Sequence, residues 1–361
     1  MKILLLGFSK IKYMPYANFY LKNINLEANE VHVVYWNRDL KEEKKPSLAP
    51  IVWHEFAAYQ EDDVSKKSKI KGFISYRRYV KKLLKKNSFD FIVVLHTMPG
   101  ILLYSTLTRK YKNKFLFDYR DSTYEKIGFF RRMIGNLVKS SKCTFTSSDG
   151  FRVFFPDSEK AKIHTSHNLN KEDLLHRSYT KTESEKIRIA FWGFIRGEEI
   201  NRKIIDRIAK DTRFELHYYG REQQVALELK AYAKEIAAEN VFFHGEYKPD
   251  DRYEFVRNTD IIHNVYSGSN MMLAMPNKYY DGAVFYIPQI CMRGSHMGAM
   301  VEKSGIGLQC DPEDGDFTQR IFEYKQGLDP NAFGLACDVE LQRVLNEYNS
   351  GERIIKDVLH R

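Results

Sequence analysis

Two segments in the second half of the chain carry residue types suited to a nucleoside diphosphate. The first is GFIRGEEINRK, which starts at Gly193 after the apolar run Ile187–Trp192. A glycine turn opening a helix presents free backbone N–H groups and the positive end of the helix dipole, and both favour phosphate. Arg196 and Arg202 stand astride this helix start. A guanidinium pairs bidentately with phosphate oxygens, so each can meet a diphosphate, although arginines at such places are commonly solvated surface. The second segment is MPNKYYDGAVFYIPQIC. Pro276 and Asn277 suit a turn and a helix start. Lys278 and Asp281 follow at i and i+3, on one helix face. A carboxylate there can accept two hydrogen bonds from a ribose diol, and Lys278 can meet phosphate. An exposed ion pair on a solvated helix has the same spacing.

In the first half, His96 and Asp121 each follow a strand-like run, Phe89–His96 and Phe115–Tyr119. Either can orient or deprotonate an acceptor hydroxyl, and His96 can also contact a donor sugar. Arg120 can pair with Asp118 or line the site. A structural hydrogen bond at a strand end is the plain alternative for each.

The elements that must position these residues are two sets of strands separated by helices. In the 361-residue chain the first set is Ile3–Gly7, Val31–Trp36, Phe89–His96, Phe115–Tyr119 and Cys143–Ser147. Residues Pro15–Leu26 have helical spacing between the first two. A polar, strandless stretch around 171–186 reads as a linker. The second set is Ile187–Gly193, Phe214–Gly220, Val241–His244, Ile261–Val265 and Ile287–Met292, with a long helix ending near Ala238. Strands alternating with helices imply parallel sheets covered on both faces. The expected domains are 1–170, linker 171–186, 187–340, and a final helix 341–361. The halves share an architecture but show no detailed repeat. Ligands of such sheets bind beyond the carboxyl ends of the strands, which points to the turns after Gly7, His96, Asp121, Gly193, Gly220 and Val265.

The segment MPNKYYDGAVFYIP resembles the donor site of retaining glycosyltransferase family four, of the polysaccharide-assembly type. That family has the GT-B fold: two Rossmann-like α/β domains facing across a cleft, with a C-terminal helix returning to the N-domain. The family glutamate that holds the donor ribose falls on Asp281, one methylene shorter. The first glutamate of the family's pair would fall near Leu273 and is absent. Arg196 matches a phosphate-binding arginine, and Arg202 stands where a lysine is usual. RFELHYYG, ending in Gly220, and VFFHGEYKPDD, with Gly245 and Tyr247, resemble the segments around the nucleotide base. FLFDYRDSTYEK resembles an Asp–x–Arg–Asp segment of the acceptor half. The resemblance implies a glycosyltransferase moving a sugar from a nucleotide diphosphate donor to a glycan or lipid-linked acceptor in surface polysaccharide (capsule) biosynthesis. It implies retention of configuration and no cofactor or metal, because Arg196, Arg202 and Lys278 supply the cations. It places Gly193, Arg196, Arg202, Gly220, Tyr247, Asn277, Lys278 and Asp281 on the donor, Asp121, His96 and Arg196 at the chemistry, and Gly7, Ser9 and Arg120 on the acceptor side. A scaffold or sugar-binding protein of the same fold, and a sugar-nucleotide epimerase, are the other classes such a chain can belong to.

The net charge of +10 calls for an anionic partner. KKSKIKGFISYRRYVKKLLKK (Lys66–Lys86) has many cations and no acid, with Ile70, Phe73, Ile74, Val80 and Leu84 approximating one helix face. Such a helix suits an anionic membrane surface, or it lays its apolar stripe on the core and leaves a solvated cationic face. Gly128–Lys139 adds Phe129, Phe130, Arg131, Arg132 and Met133. No nucleic-acid-binding motif accompanies the charge. The four cysteines are scattered without a CxxC pair, which argues against a zinc cluster or disulfide framework. The apolar start is too short for a signal segment. The expected location is cytoplasmic, peripheral at the inner membrane face.

Overall fold

The computed structural model describes residues 1–45, 50–60, 65–177 and 182–359. The chain divides into two compact units, Met1–His167 with Asn346–Arg361, and Asn168–Leu345. Residues 178–181 of the expected linker lie outside the described residues. Its earlier part, Lys171–His176, is a short 3-10 helix whose Asp173 accepts hydrogen bonds from Arg252 and Tyr253 of the second unit.

The first unit is built on seven parallel strands: β1 (Lys2–Leu6), β2 (Glu30–Asn37), β3 (Ile51–Ala57), β4 (Phe91–Leu95), β5 (Phe115–Tyr119), β6 (Cys143–Thr146) and β7 (Ile163–Thr165). Their order is β3-β2-β1-β4-β5-β6-β7. Its helices are α1 (Ala17–Leu21), α2 (Lys66–Lys86), α3 (Thr97–Leu102) and α4 (Gly128–Ser140). The central strands KILLL, FIVVL and FLFDY are almost wholly buried, as sheets covered on both faces require. The helix expected over Pro15–Leu26 is shorter, because Asn23 turns back to cap the Phe19 carbonyl.

α2 has the expected bounds, but its apolar residues divide between two faces. Tyr76, Val80 and Leu84 are buried, whereas Ile70 and Ile74 are 57% and 45% exposed. The reason is Tyr76: its ring stacks on Trp36 at 5.4 Å and packs edge-on to Phe8. That fixes the inward face one step round the helix, and Ile70 and Ile74 point outward beside Arg77, Arg78 and Lys71.

The second unit has six parallel strands: β8 (Ile187–Trp192), β9 (Phe214–Tyr219), β10 (Val241–Gly245), β11 (Ile261–Asn264), β12 (Gln289–Met292) and β13 (Gly307–Cys310), in the order β10-β9-β8-β11-β12-β13. Its helices are α5 (Glu198–Ile208), α6 (Gln224–Glu235), α7 (Arg252–Arg257), α8 (Asn277–Val284), α9 (His296–Lys303) and α10 (Phe317–Gln326). The last helix, α11, runs from Pro330 to Leu359 and so starts well before residue 341. Its Phe333, Cys337 and Leu341 belong to the second unit's core, and its Ile355 and Leu359 to the first unit's.

Candidate functional site

In the second unit, three glycines lie side by side at the carboxyl ends of β8, β9 and β10. Gly193 N–H donates to the Tyr219 carbonyl (2.9 Å), and Gly220 N–H to the Gly245 carbonyl (2.8 Å). A Cβ on Gly220 would sit 2.1 Å from the Gly193 carbonyl oxygen, so only glycine lets the two turns meet. Gly193 and Gly245 have φ of 107° and 78°, the left-handed region that glycine tolerates. Tyr247 follows, half-buried, with its ring edge-on to Phe255 at 5.1 Å. Burial pushes its hydroxyl up to about 12.

The turn after β8 leads into α5 through Gly197, which caps the helix at φ 74°. Asn201 holds this turn from beneath. Its Nδ2 donates to the carbonyls of Arg196 and Gly197, both at 2.9 Å. Its Oδ1 accepts from Tyr218 Oη (2.9 Å) and His263 Nε2 (3.1 Å). His263 Nδ1 in turn accepts from the Val265 N–H (3.1 Å), so this ring is the Nε2–H tautomer. Burial, and then Lys278, depress it to about 3. Arg196 projects from the turn into solvent, its guanidinium 4.9 Å from the Phe194 ring centre. Arg202 is engaged elsewhere: it bonds Glu198 at 2.7 Å and lies over the Tyr232 ring of α6 at 4.2 Å. The structure thus brings Arg196, but not Arg202, to the glycine turns.

The surface ion pair that the i,i+3 spacing also allowed is not what α8 makes. Lys278 and Asp281 are both buried, and each binds Trp192 at the end of β8. Lys278 Nζ donates to the Trp192 carbonyl (2.9 Å) and lies 3.9 Å from the Phe191 ring centre. Trp192 Nε1 donates to Asp281 Oδ2 (2.8 Å), and Arg252 Nη1 is 3.6 Å from Oδ1. Burial pushes Lys278 down to about 7, with Asp281 opposing. Burial pushes Asp281 up to about 6, against the pull of Arg252 and Trp192. The two buried groups, of opposite sign, are thus both shifted toward neutrality. Asn277 is exposed at the start of α8. Gly282, the next residue after Asp281, has Gln289 pressed against its Cα, where a Cβ would come within 2.1 Å of Nε2.

In the first unit, His96 and Asp121 come together at the ends of β4 and β5. His96 Nε2 is 3.3 Å from Asp121 Oδ2, and His96 Nδ1 accepts from the Met98 N–H at 3.4 Å. The ring is therefore the Nε2–H tautomer, donating to the carboxylate. His96 has φ of 90°, a strained conformation of the kind found at functional sites. Thr97 Oγ1 donates to the Asp121 carbonyl (2.8 Å). Asp121 keeps half of its side chain exposed. Arg120 is instead buried: it bonds Asp118 (2.9 Å) and Ser166 (3.0 Å) and lies over the Tyr16 ring at 4.0 Å. Of the two readings of Arg120, the structure bears out the pairing with Asp118. Ser9 lines a recess of about 240 Å³ with Phe8, Tyr16, Arg38, Gln60, Lys69, Phe73 and His96. Gly7, which precedes the lining residue Phe8, is tied to the Val34 carbonyl (2.9 Å) and too tightly packed by Met14 to carry a Cβ.

Sequence reasoning missed Trp192, Asn201, Arg252 and His263. A polar residue inside the apolar run IIHNV was a visible signal for His263. Arg252 lay in the polar stretch KPDDRYEF and carried none. Among the described residues no three His, Cys, Asp or Glu side chains gather into a metal cage, and no helix is long and apolar enough to cross a membrane.

No protein-family model matches the chain, and no curated protein matches it. Solved structures do. The chain is similar to sucrose-phosphate synthase of Thermosynechococcus elongatus, at 10% identity and a TM-score of 0.69, covering 100% of this chain and 98% of that one. It is similar to HepE of Anabaena in complex with UDP-glucose, at 12% identity and a TM-score of 0.69, covering 99% and 100%. It is similar to the lipopolysaccharide outer core galactosyltransferase WaaB, at 13% identity and a TM-score of 0.66, covering 97% and 99%. With two parallel-sheet α/β units and neighbours matched over the full chain, the fold is GT-B.

Proposed function

We propose that the chain is a glycosyltransferase that takes a sugar from a nucleotide diphosphate donor held by the second unit. One observation carries the reading. Beyond the carboxyl ends of β8, β9 and β10, three glycine turns adjoin Arg196 and the buried Lys278–Asp281 pair. Such strand ends are where open parallel sheets bind ligands. The N–H groups of the turn after Gly193, up to Gly197, and the Arg196 guanidinium meet the diphosphate, and Lys278 adds charge behind it. Asp281 takes the ribose hydroxyls, and Tyr247 borders the base. As the glycosidic bond breaks, negative charge grows on the phosphate oxygens. Fixed cations and N–H dipoles stabilise it without a metal. HepE, a neighbour solved with UDP-glucose, supports a sugar nucleotide as the donor.

The acceptor is assigned to the first unit, where Asp121, held by His96, orients or deprotonates its hydroxyl. We assign retention of configuration and a glycan or lipid-linked acceptor of a surface polysaccharide. The outward Ile70 and Ile74 of α2, among exposed cations, support peripheral contact with an anionic membrane.

The test is a panel of UDP-, GDP- and ADP-sugars incubated with the protein and a membrane-lipid extract, read by release of nucleoside diphosphate and by labelled product. Donor-dependent transfer that Asp121→Asn removes is the expected result. A protein that binds donors but never releases nucleotide is a sugar-binding scaffold. One that interconverts the donor sugar without an acceptor is an epimerase. Either result replaces this reading.

A further inference from the structure

Each unit carries the same three-residue constellation at the edge of its sheet. In the first unit β2 supplies Glu30 and His32, and the edge strand β3 supplies His54. In the second, β9 supplies Glu215 and His217, and the edge strand β10 supplies His244. The register matches. His32 stands opposite Val52, and His217 opposite Phe242, with the partner histidine two residues further along in both cases. His32 Nδ1 is 2.7 Å from His54 Nε2, and His217 Nδ1 is 3.0 Å from His244 Nε2. The outer nitrogen of the first ring faces a carboxylate in each: His32 Nε2 to Glu30 at 2.8 Å, and His217 Nε2 to Glu215 at 3.3 Å.

These contacts fix the chemistry of the rings. A carboxylate takes the Nε2–H of His32 and of His217, so their Nδ1 lone pairs point at the neighbouring histidine. A histidine pair joined by one N–H···N hydrogen bond holds a single proton between the two facing nitrogens, so both rings are in the neutral form that binds metals. A carboxylate behind the ring is also how proteins orient metal-bound imidazoles. Two metal–nitrogen bonds of about 2.0–2.1 Å at a tetrahedral angle place the nitrogens roughly 3.3 Å apart. The first pair must open from 2.7 Å and the second from 3.0 Å, and in each the two rings must tilt so that lone pairs now facing along one line converge on the ion. The neutral His54 or His244 keeps its proton, which moves from Nε2 to Nδ1. Solvent reaches the second pair directly, since His244 is exposed and its neighbour Phe242 is 37% exposed.

We propose that each pair is a two-histidine site for a divalent transition-metal ion of the zinc and copper class, with water completing the coordination. The chain then binds two such ions, one per unit. This stands apart from the donor site and from the proposed function.

The test is calorimetric titration of the full chain, stripped with chelator, with Zn²⁺ and Cu²⁺ at pH 7.5. Two ions are expected, with Cu²⁺ tighter. His54→Ala and His244→Ala should each remove one ion, and the double variant both. Glu215→Gln should keep two ions but weaken one about 10–100-fold, which a merely structural carboxylate would not do. If an alanine variant fails to fold, the wild-type ring ¹⁵N resonances serve instead: Zn²⁺ should shift Nδ1 of His32 and His217. No saturable binding, a stoichiometry of one, an ion count unchanged in the histidine variants, or unmoved resonances would overturn the proposal.

Discussion

Replacing Lys278 with methionine should make the unliganded protein more stable, not less. The folded protein holds this amine at about 7 rather than its ordinary 10.5, chiefly through burial. Keeping it charged when buried therefore costs about 5 kcal/mol at pH 6. The unfolded chain binds more protons than the folded one between about pH 7 and 10.5, so wild-type stability rises with pH through that window. At pH 9 the residual cost is about 2 kcal/mol, a gain of about 3 kcal/mol over pH 6. Asp281, raised to about 6, has the opposite slope, but only below that value, so it leaves pH 7 to 9 to the lysine. Methionine fills the same space without charge and gives up the bond to the Trp192 carbonyl, worth about 1–3 kcal/mol if that oxygen is left bare. The net expectation for Lys278→Met is about 2–4 kcal/mol of added stability at pH 6, fading to nothing near pH 9. Urea unfolding at pH 6, 7, 8 and 9 measures it. A variant more than about 1 kcal/mol less stable at pH 6, with the wild-type slope from pH 7 to 9 intact, would refute the reasoning.

Three further outcomes follow from the geometry. Gly220→Ala drives a Cβ into the Gly193 carbonyl, so urea titration should show a loss of about 1–3 kcal/mol, and any stabilisation by nucleotide should shrink with it. Asn201→Ala strands the Arg196 carbonyl, a tyrosine hydroxyl and the His263 N–H, while the Gly197 carbonyl keeps the backbone N–H of residue 201; the loss should be at least about 3 kcal/mol in the same measurement. Asp121→Asn, at a half-exposed carboxylate, should lower the rate of sugar transfer about 10²–10⁴-fold while leaving the melting temperature and nucleotide binding unchanged.

The parts of the fold that were legible are those where burial on both faces makes a continuous apolar run. KILLL, FIVVL, FLFDY and IRIAFW needed no partner to be recognised. β3, IVWHEFA, was missed because this edge strand breaks its apolar run with His54 and Glu55 and buries only Phe56. β7 has only three residues, too few for a period to show. The apolar stripe assigned to α2 misled because 100° per residue leaves the inward direction open until a large ring chooses it, and Tyr76 was that ring. At the candidate site, the glycine turns and the Lys278–Asp281 spacing showed in the chain. Whether that pair lay in solvent or in the core depended on β8 delivering Trp192 to both. Arg202 could reach two places, and Glu198 four residues earlier, with Tyr232 on α6, won it. The histidine pairs were invisible because each joins residues more than twenty positions apart through strand register.

Direct binding of nucleoside diphosphates bears most closely on the donor site. Thermal unfolding with saturating UDP, GDP and ADP, in chelator and without added metal, should show one of them raising the melting temperature, and Arg196→Glu should erase that rise without altering the unliganded melting point. Three nucleotides that all leave the wild-type transition where it was, or an Arg196→Glu protein that responds as the wild type does, would contradict the account.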